Sequence, residues 1–240
     1  MRSLDIMTDM QRADVTAASV VAWLKRRGSA TNRAGMARYG LPTTDTFGVS
    51  MATMQREARR IGMNHRLAMA LWKSGWYEAR IMSAFLADPA QLTPAQMEAW
   101  CRDFDNWGTT DTVCFKLFDQ SPHRWKKMAQ WVTRRKEFEK RAGFVMIACL
   151  AAHDKAAKDL AFVKCLKLIE TGASDDRNFV KKGVSWALRH IGHRNASLHS
   201  GAVKTATRLS KSEDPTKRWV GKDALRDLTR PAVVKKVQSR

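Results

Sequence analysis

The stretch FDNWGTTDTVC (104–114) sets an indole, Trp107, and a carboxylate, Asp111, four positions apart. If 106–119 is helical, the two side chains share a face, one turn from each other. Each favours a positive charge. A carboxylate attracts a cation by its charge; an indole does so through the negative face of its ring, by about 0.5–2 kcal/mol depending on desolvation. Together they suit a site where positive charge develops during a reaction. Two plainer readings stand beside this one. Trp107 serves equally well as a packing residue, and Asp111 as an acceptor for first-turn N–H groups.

The chain around this pair carries a formal charge of +20. Residues 1–120 contribute +3 of it and residues 121–240 contribute +17. So lopsided a charge predicts a polyanionic partner, nucleic acid above all, against the alternative of a generally basic surface. Only RPAVVKKVQSR at the end reads as a basic tail, and it supplies four of the charges. The four cysteines (Cys101, Cys114, Cys149, Cys165) form no CxxC and read as buried thiols of a reducing cytoplasm. MRSLDIMTDMQRAD has no apolar core of the kind a secretory signal needs, and no run is long enough for a membrane span. A cytoplasmic, monomeric protein with no membrane contact is expected.

The elements that must position Trp107 and Asp111 read as helix after helix. Asp14 is placed to cap VTAASVVAWLKRR, Ser50 to cap MATMQREARRI before Gly62, and Asn64 to open HRLAMALWKS before Gly75. WYEARIMSAFLAD runs into Pro89; Thr93-Pro94-Ala95-Gln96 has a capping-box pattern; Ser121-Pro122 starts another helix. Nothing alternates as a strand would. The later segments EFEKRAGFVMIACLA, RNFVKKGVSWALRHIG and TKRWVGKDALRDLT resemble one another at offsets of 41 and 39 residues, taken from Arg141 to Lys182 to Gly221. That period predicts an all-α solenoid of HEAT or armadillo type, as a single domain over 1–240 with an N-terminal helix in 1–35 and a concave basic face. On that register, helices bearing 107–119, 137–152 and 177–192 are successive inner helices. Trp107, Asp111, Arg141 and Trp186 are then expected to converge on one face.

Five stretches in order carry a family resemblance: GVSMATMQREARRIG, LAMALWKSGWYEARIMSAFLAD, the WxxxD of 107–111, KRAGF and NFVKKGVSWALR. Over roughly residues 35–230 the chain resembles the AlkD family of DNA alkylation-repair glycosylases. The resemblance implies HEAT-like repeats and excision of cationic alkylated purines such as N3-methyladenine and N7-methylguanine from double-stranded DNA. It implies no metal and no organic cofactor. Asp111 matches the family's catalytic carboxylate, Trp107 and Trp186 its lesion-facing indoles, and Arg141 an arginine that contacts DNA beside the lesion. Tyr39, in MARYG, falls where a family tyrosine approaches the duplex. Lys181, Lys182 and Arg189 are the further residues expected to grip the backbone. The sequence departs from the best-known branch at Gly108, where that branch has an acid, and at Ser50, where it has a glutamine.

The residue types fit this chemistry on their own terms. A purine alkylated at N3 or N7 is cationic and leaves readily, and breaking its glycosidic bond moves positive charge onto the deoxyribose. A carboxylate beside that sugar stabilises the charge and orients the attacking water. Two other patterns have competing explanations. The HxxH of His190 and His193 fits two metal ligands or a solvated, phosphate-contacting edge. KKMAQWVTRRK (126–136) fits a phosphate-contacting surface or a plain solvated helix face. A non-catalytic helical-repeat binder of damaged or structured nucleic acid, and a protein-binding solenoid, remain the alternatives to an enzyme.

Overall fold

A computed structural model describes residues 15–239. Among the described residues the chain forms fourteen α-helices, two short 3-10 turns and no strands, and no helix is long and apolar enough to cross a membrane. It divides into two compact units. Unit 1 takes residues up to 96 together with 105–121; unit 2 takes 97–104 and 122 onward.

Unit 1 contains α1 (Ala17–Arg26), α2 (Ala30–Met36), α3 (Met51–Ile61), α4 (His65–Lys73), α5 (Tyr77–Leu86) and α7 (Trp107–Lys116). Asp14, expected as the first cap, lies outside the described residues. Thr16 caps α1, in a reciprocal pair with Ser19. Where the described residues cover the 1–35 segment expected as one N-terminal helix, from 15 onward, the chain forms two helices, α1 and α2, separated at Gly28. Ser50 and Asn64 cap α3 and α4 as their sequence positions predict. The centre of the unit is α5, which packs against α1, α3, α4 and α7 and buries eight of its ten residues.

One of those eight is Glu78, fully buried. Its carboxylate accepts hydrogen bonds from the Thr46 hydroxyl (2.7 Å) and from the backbone N–H groups of Phe47 (3.0 Å), Gly48 (2.7 Å) and Val49 (3.2 Å). A buried charge is tolerable when its lone pairs are satisfied in this way. Here it fixes the loop that leads into Ser50 and α3.

Unit 2 is the repeat array anticipated from the 41- and 39-residue offsets. It runs from α6 (Pro94–Arg102, mostly in this unit) through α8 (Arg124–Trp131), α9 (Glu137–His153), α10 (Asp159–Gly172), α11 (Asn178–Gly192), α12 (Ala196–Ser210) and α13 (Pro215–Leu228) to α14 (Pro231–Gln238). The second helices of successive pairs, α9, α11 and α13, pack one on the next, as do the first helices α10 and α12. Beyond its charged first turns α9 is apolar all round from Ala142 to Ala151, and it is buried from Arg141 to Ala151. Gly143 and Gly221 sit where a pair crosses most closely. A Cβ on Gly143 would lie 2.3 Å from the Val132 nitrogen, and one on Gly221 would lie 2.2 Å from the Ser210 nitrogen. The segment read as a basic tail is mostly the helix α14, held by buried Val233 and Val237.

Candidate active site

Helix α7 begins at Trp107 because Asn106 caps it, its side-chain oxygen accepting the Thr109 N–H at 2.9 Å. Asp111 lies one turn beyond the cap, so the capping role considered for it belongs to Asn106. Helical spacing then does what the sequence suggests: Trp107 and Asp111 face the same way, and both line one cleft of about 520 Å³ in unit 1. Asp111 is half-buried, with its side chain at the cleft wall.

The rest of the wall is mostly apolar: Met36 from α2, Leu41, and Met54 from α3. Tyr39 stands at the rim, 70% exposed, and its backbone carbonyl accepts the Trp107 indole N–H at 2.7 Å. That bond fixes the ring's orientation toward the cleft. Three residues expected in the site from sequence are thus brought together here: Tyr39, Trp107 and Asp111. Ser50 also lines the cleft, with its hydroxyl oxygen occupied as the α3 cap.

Tyr77, the first residue of α5, is a further member that the sequence did not single out. Burial pushes its phenol up to about 12, and the neighbouring carboxylates of Glu78 and Asp111 push the same way. The hydroxyl therefore stays protonated in the wall that carries Asp111. Its position also accounts for Gly108. A Cβ there would lie 2.7 Å from the Tyr77 oxygen and 2.7 Å from Leu41 Cδ2. A larger residue at that position requires Tyr77 or Leu41 to shift.

The other expected residues belong to unit 2. Arg141 on α9 is only 6% exposed, and its Nη1 donates to the Phe179 carbonyl at 2.6 Å. The Phe179 N–H in turn donates to Glu137 at 3.1 Å, so two α9 side chains hold both backbone groups of one residue in the first turn of α11. That supplies the acceptor which the uncapped start of α11 lacks. Trp186 is half-buried, with His190 edge-on to it at 5.6 Å. Lys182 is exposed, Arg189 half-buried, and the Lys181 ammonium sits 5.3 Å from the Trp219 ring centre.

The HxxH and the 126–136 segment resolve differently. Burial pulls His190 down to about 4, with the charges of His193 and Arg189 adding to it. His193 Nε2 lies 2.7 Å from the Asp227 carboxylate. In the basic segment Lys127 and Trp131 are buried, and both donate to Glu98, at 3.0 and 3.2 Å, where Arg134 joins them at 2.5 Å. Burial raises the Glu98 carboxyl, but the hydrogen bonds from Lys127 and Trp131 and the nearby cations more than offset it and hold it below its usual range. Neither reading weighed for that segment covers these residues, because they form an internal ion-pair cluster.

With this geometry in hand, comparison with known proteins is specific. The family model described as DNA alkylation repair enzyme matches residues 20–228. No curated protein matches the chain. One solved structure, described as belonging to a new family of proteins related to the HEAT-like repeat DNA glycosylases with affinity for branched DNA structures, is similar with a TM-score of 0.74 at 19% identity. The match covers 88% of this chain and 95% of that one. The fold is all-α and built of HEAT-like repeats.

Proposed function

The chain belongs to the DNA alkylation repair enzyme family, and from that premise we propose that it is a DNA N-glycosylase that removes cationic alkylated purines. The observation that carries this reading is the pairing of Asp111 with Trp107 on the wall of one open, largely apolar cleft. Such surroundings have few polar groups to compete with the carboxylate, so its field at a nearby cation is stronger than in water.

In the proposed reaction the C1′–N bond breaks with its electron pair going to the purine, which departs neutral. The sugar becomes an oxocarbenium ion beside the Asp111 carboxylate. A water oxygen then bonds to C1′ and its proton passes to Asp111. The Trp107 face stabilises the same positive charge. The Tyr77 hydroxyl, protonated throughout, is the donor placed to orient the water or the carboxylate. Tyr39, exposed at the rim, meets the duplex. Lys181, Lys182, Arg189 and Trp186 of unit 2 hold DNA. Arg141 acts on DNA by way of α11, whose first turn it fastens.

The competing reading is a binder of structured DNA without hydrolytic activity; the affinity for branched DNA ascribed to the similar solved structure supports its binding half. Release of N7-methylguanine from a methylated duplex, measured for the wild type and for Asp111→Asn, separates the two. The glycosylase reading expects release by the wild type and a loss of about 10²–10³-fold in the variant, as for removal of one transition-state stabiliser. Equal release by both proteins removes Asp111 from the mechanism. No release by either, with tight binding retained, favours the binder.

A further inference from the structure

Unit 2 carries an exposed aromatic that neither the cleft nor the family resemblance uses. Trp219, on α13, is 37% exposed, although an indole ordinarily finds cover. Its neighbours explain why it points outward. Val220 is fully buried, and Gly221 lies against the α12 backbone, so the helix turns position 219 away from the core. The same outward stripe continues at the i+3 and i+7 positions with Lys222 and Arg226, both exposed. From the adjoining helix α11, Lys181 places its ammonium over the Trp219 ring, 5.3 Å from its centre, so one face of the indole already carries a cation, and Lys182 is exposed beside it in sequence. The acid of this stripe, Asp223, accepts hydrogen bonds from Ser185 (2.6 Å) and Arg226 (2.5 Å). Its charge is thereby offset, and the surface around the indole is cationic.

We propose that Trp219 is a stacking platform for an unpaired DNA base, which takes the ring face opposite Lys181, with Lys182 and Lys222 on the adjoining phosphates. An indole offers a flat π-face. In continuous duplex the faces of the bases are covered by their neighbours, so the base that stacks on such a platform belongs to a gap, a strand end or a branch. Charge fixes the class of partner: the half of the chain that holds Trp219 has a net charge of +17, and a cationic rim around an aromatic matches a phosphate backbone that carries bases. The inference rests on the DNA-binding part of the reading above and is independent of hydrolysis.

The test uses undamaged DNA and fluorescence anisotropy on the whole chain. One ligand is a fully paired duplex, the other the same duplex with a short single-stranded gap. Trp219→Ala is expected to lower affinity for the gapped duplex about tenfold or more, as loss of one base–aromatic stack does. Affinity for the paired duplex changes less than about twofold. Trp219→Phe retains most of the preference for the gap. Trp219→Leu, which keeps apolar bulk without a π-face, behaves like the alanine variant. Equal losses on both ligands, no loss on either, or a leucine variant equal to wild type overturns the platform while leaving DNA binding intact. Failure of the wild type to bind either duplex overturns the DNA-binding reading along with it.

Discussion

In unit 1, Glu78 is buried without a cationic partner among its hydrogen bonds and is satisfied by a hydroxyl and three consecutive backbone N–H groups, while Asp111 lines an open cleft. In unit 2 four partly buried acids are held by cations. Glu98 takes Lys127 and Arg134; Asp154 takes Arg124; Asp175 takes Lys140 and Arg177; Asp227 faces His193 and Arg230. Several of these pairs join one helix to another, Lys127 of α8 to Glu98 of α6 for instance. The difference shows how a chain of high positive charge can still keep a carboxylate that is not tied up by cations in its hydrogen bonds. In the basic unit each such acid offsets internal cations and fastens the repeats, leaving the outward lysines to set the field. Asp111 faces its cleft in the unit drawn from the nearly neutral part of the sequence.

The comparison breaks most sharply at Glu78. Glu78→Gln keeps the shape but replaces a charge that accepts four hydrogen bonds with an amide that has one oxygen. Loss of charge-assisted bonds at a buried site costs about 3 kcal/mol. The urea midpoint is expected to fall accordingly, and hydrogen exchange at the amides of Phe47, Gly48 and Val49 to accelerate more than elsewhere. Uniform acceleration across both units would mean that Glu78 has no local role in holding the loop.

Gly108 gives a smaller effect, and it acts inside the cleft. Gly108→Ala sets a methyl 2.7 Å from the Tyr77 oxygen and from Leu41 Cδ2, and overpacking of that kind costs about 1–3 kcal/mol. Base release should drop alongside stability, because Tyr77 and α7 move together. Leu41→Ala in the same chain makes room on one side and should recover part of both losses. A Gly108→Ala variant as stable and as active as wild type would show that Tyr77 yields freely and does not brace the site.

Much of this was legible in the sequence, for physical reasons that differ by residue. Ser50, Asn64 and the Thr93-Pro94 start announce themselves because caps need particular side-chain oxygens at particular offsets. The repeat offsets through Arg141, Lys182 and Gly221 survive because α9, α11 and α13 occupy equivalent places in the stack. Trp107 and Asp111 share a face because helical geometry leaves no other outcome. What depended on tertiary partners was hidden. Nothing local tells that Tyr77 closes on Gly108, or that Lys127 and Trp131 turn inward to Glu98. The one available hint for Glu78 was an acid within the apolar run YEARIMSAFL, a position that must be buried and so must be satisfied.

The smallest effect sharpens the contrast through pH. Burial lowers His190, with His193 and Arg189 adding their charges and Asp227 opposing them. His193 is lowered as well, by burial first, against the pull of Asp227. A histidine whose folded pKa lies below its unfolded value stabilises the fold fully above the unfolded value, near 6.5. That contribution is lost as pH falls from 6.5 toward about 4, where the folded protein finally binds the proton. Asp175 adds a second, lower step. The Arg177 hydrogen bond, with Lys140, holds its carboxyl below the ordinary 3.8, so its contribution is lost only as pH drops beneath that value. Acidification from 7 to 4 is therefore expected to weaken unit 2 through His190, seen as faster exchange of α11 and α13 amides. His190→Gln should flatten that dependence between pH 6.5 and 4 and leave the step below 3.8 in place. If the pH profile of the variant overlays that of the wild type, the acid sensitivity arises elsewhere, and the packing of His190 against Trp186 is a matter of shape alone.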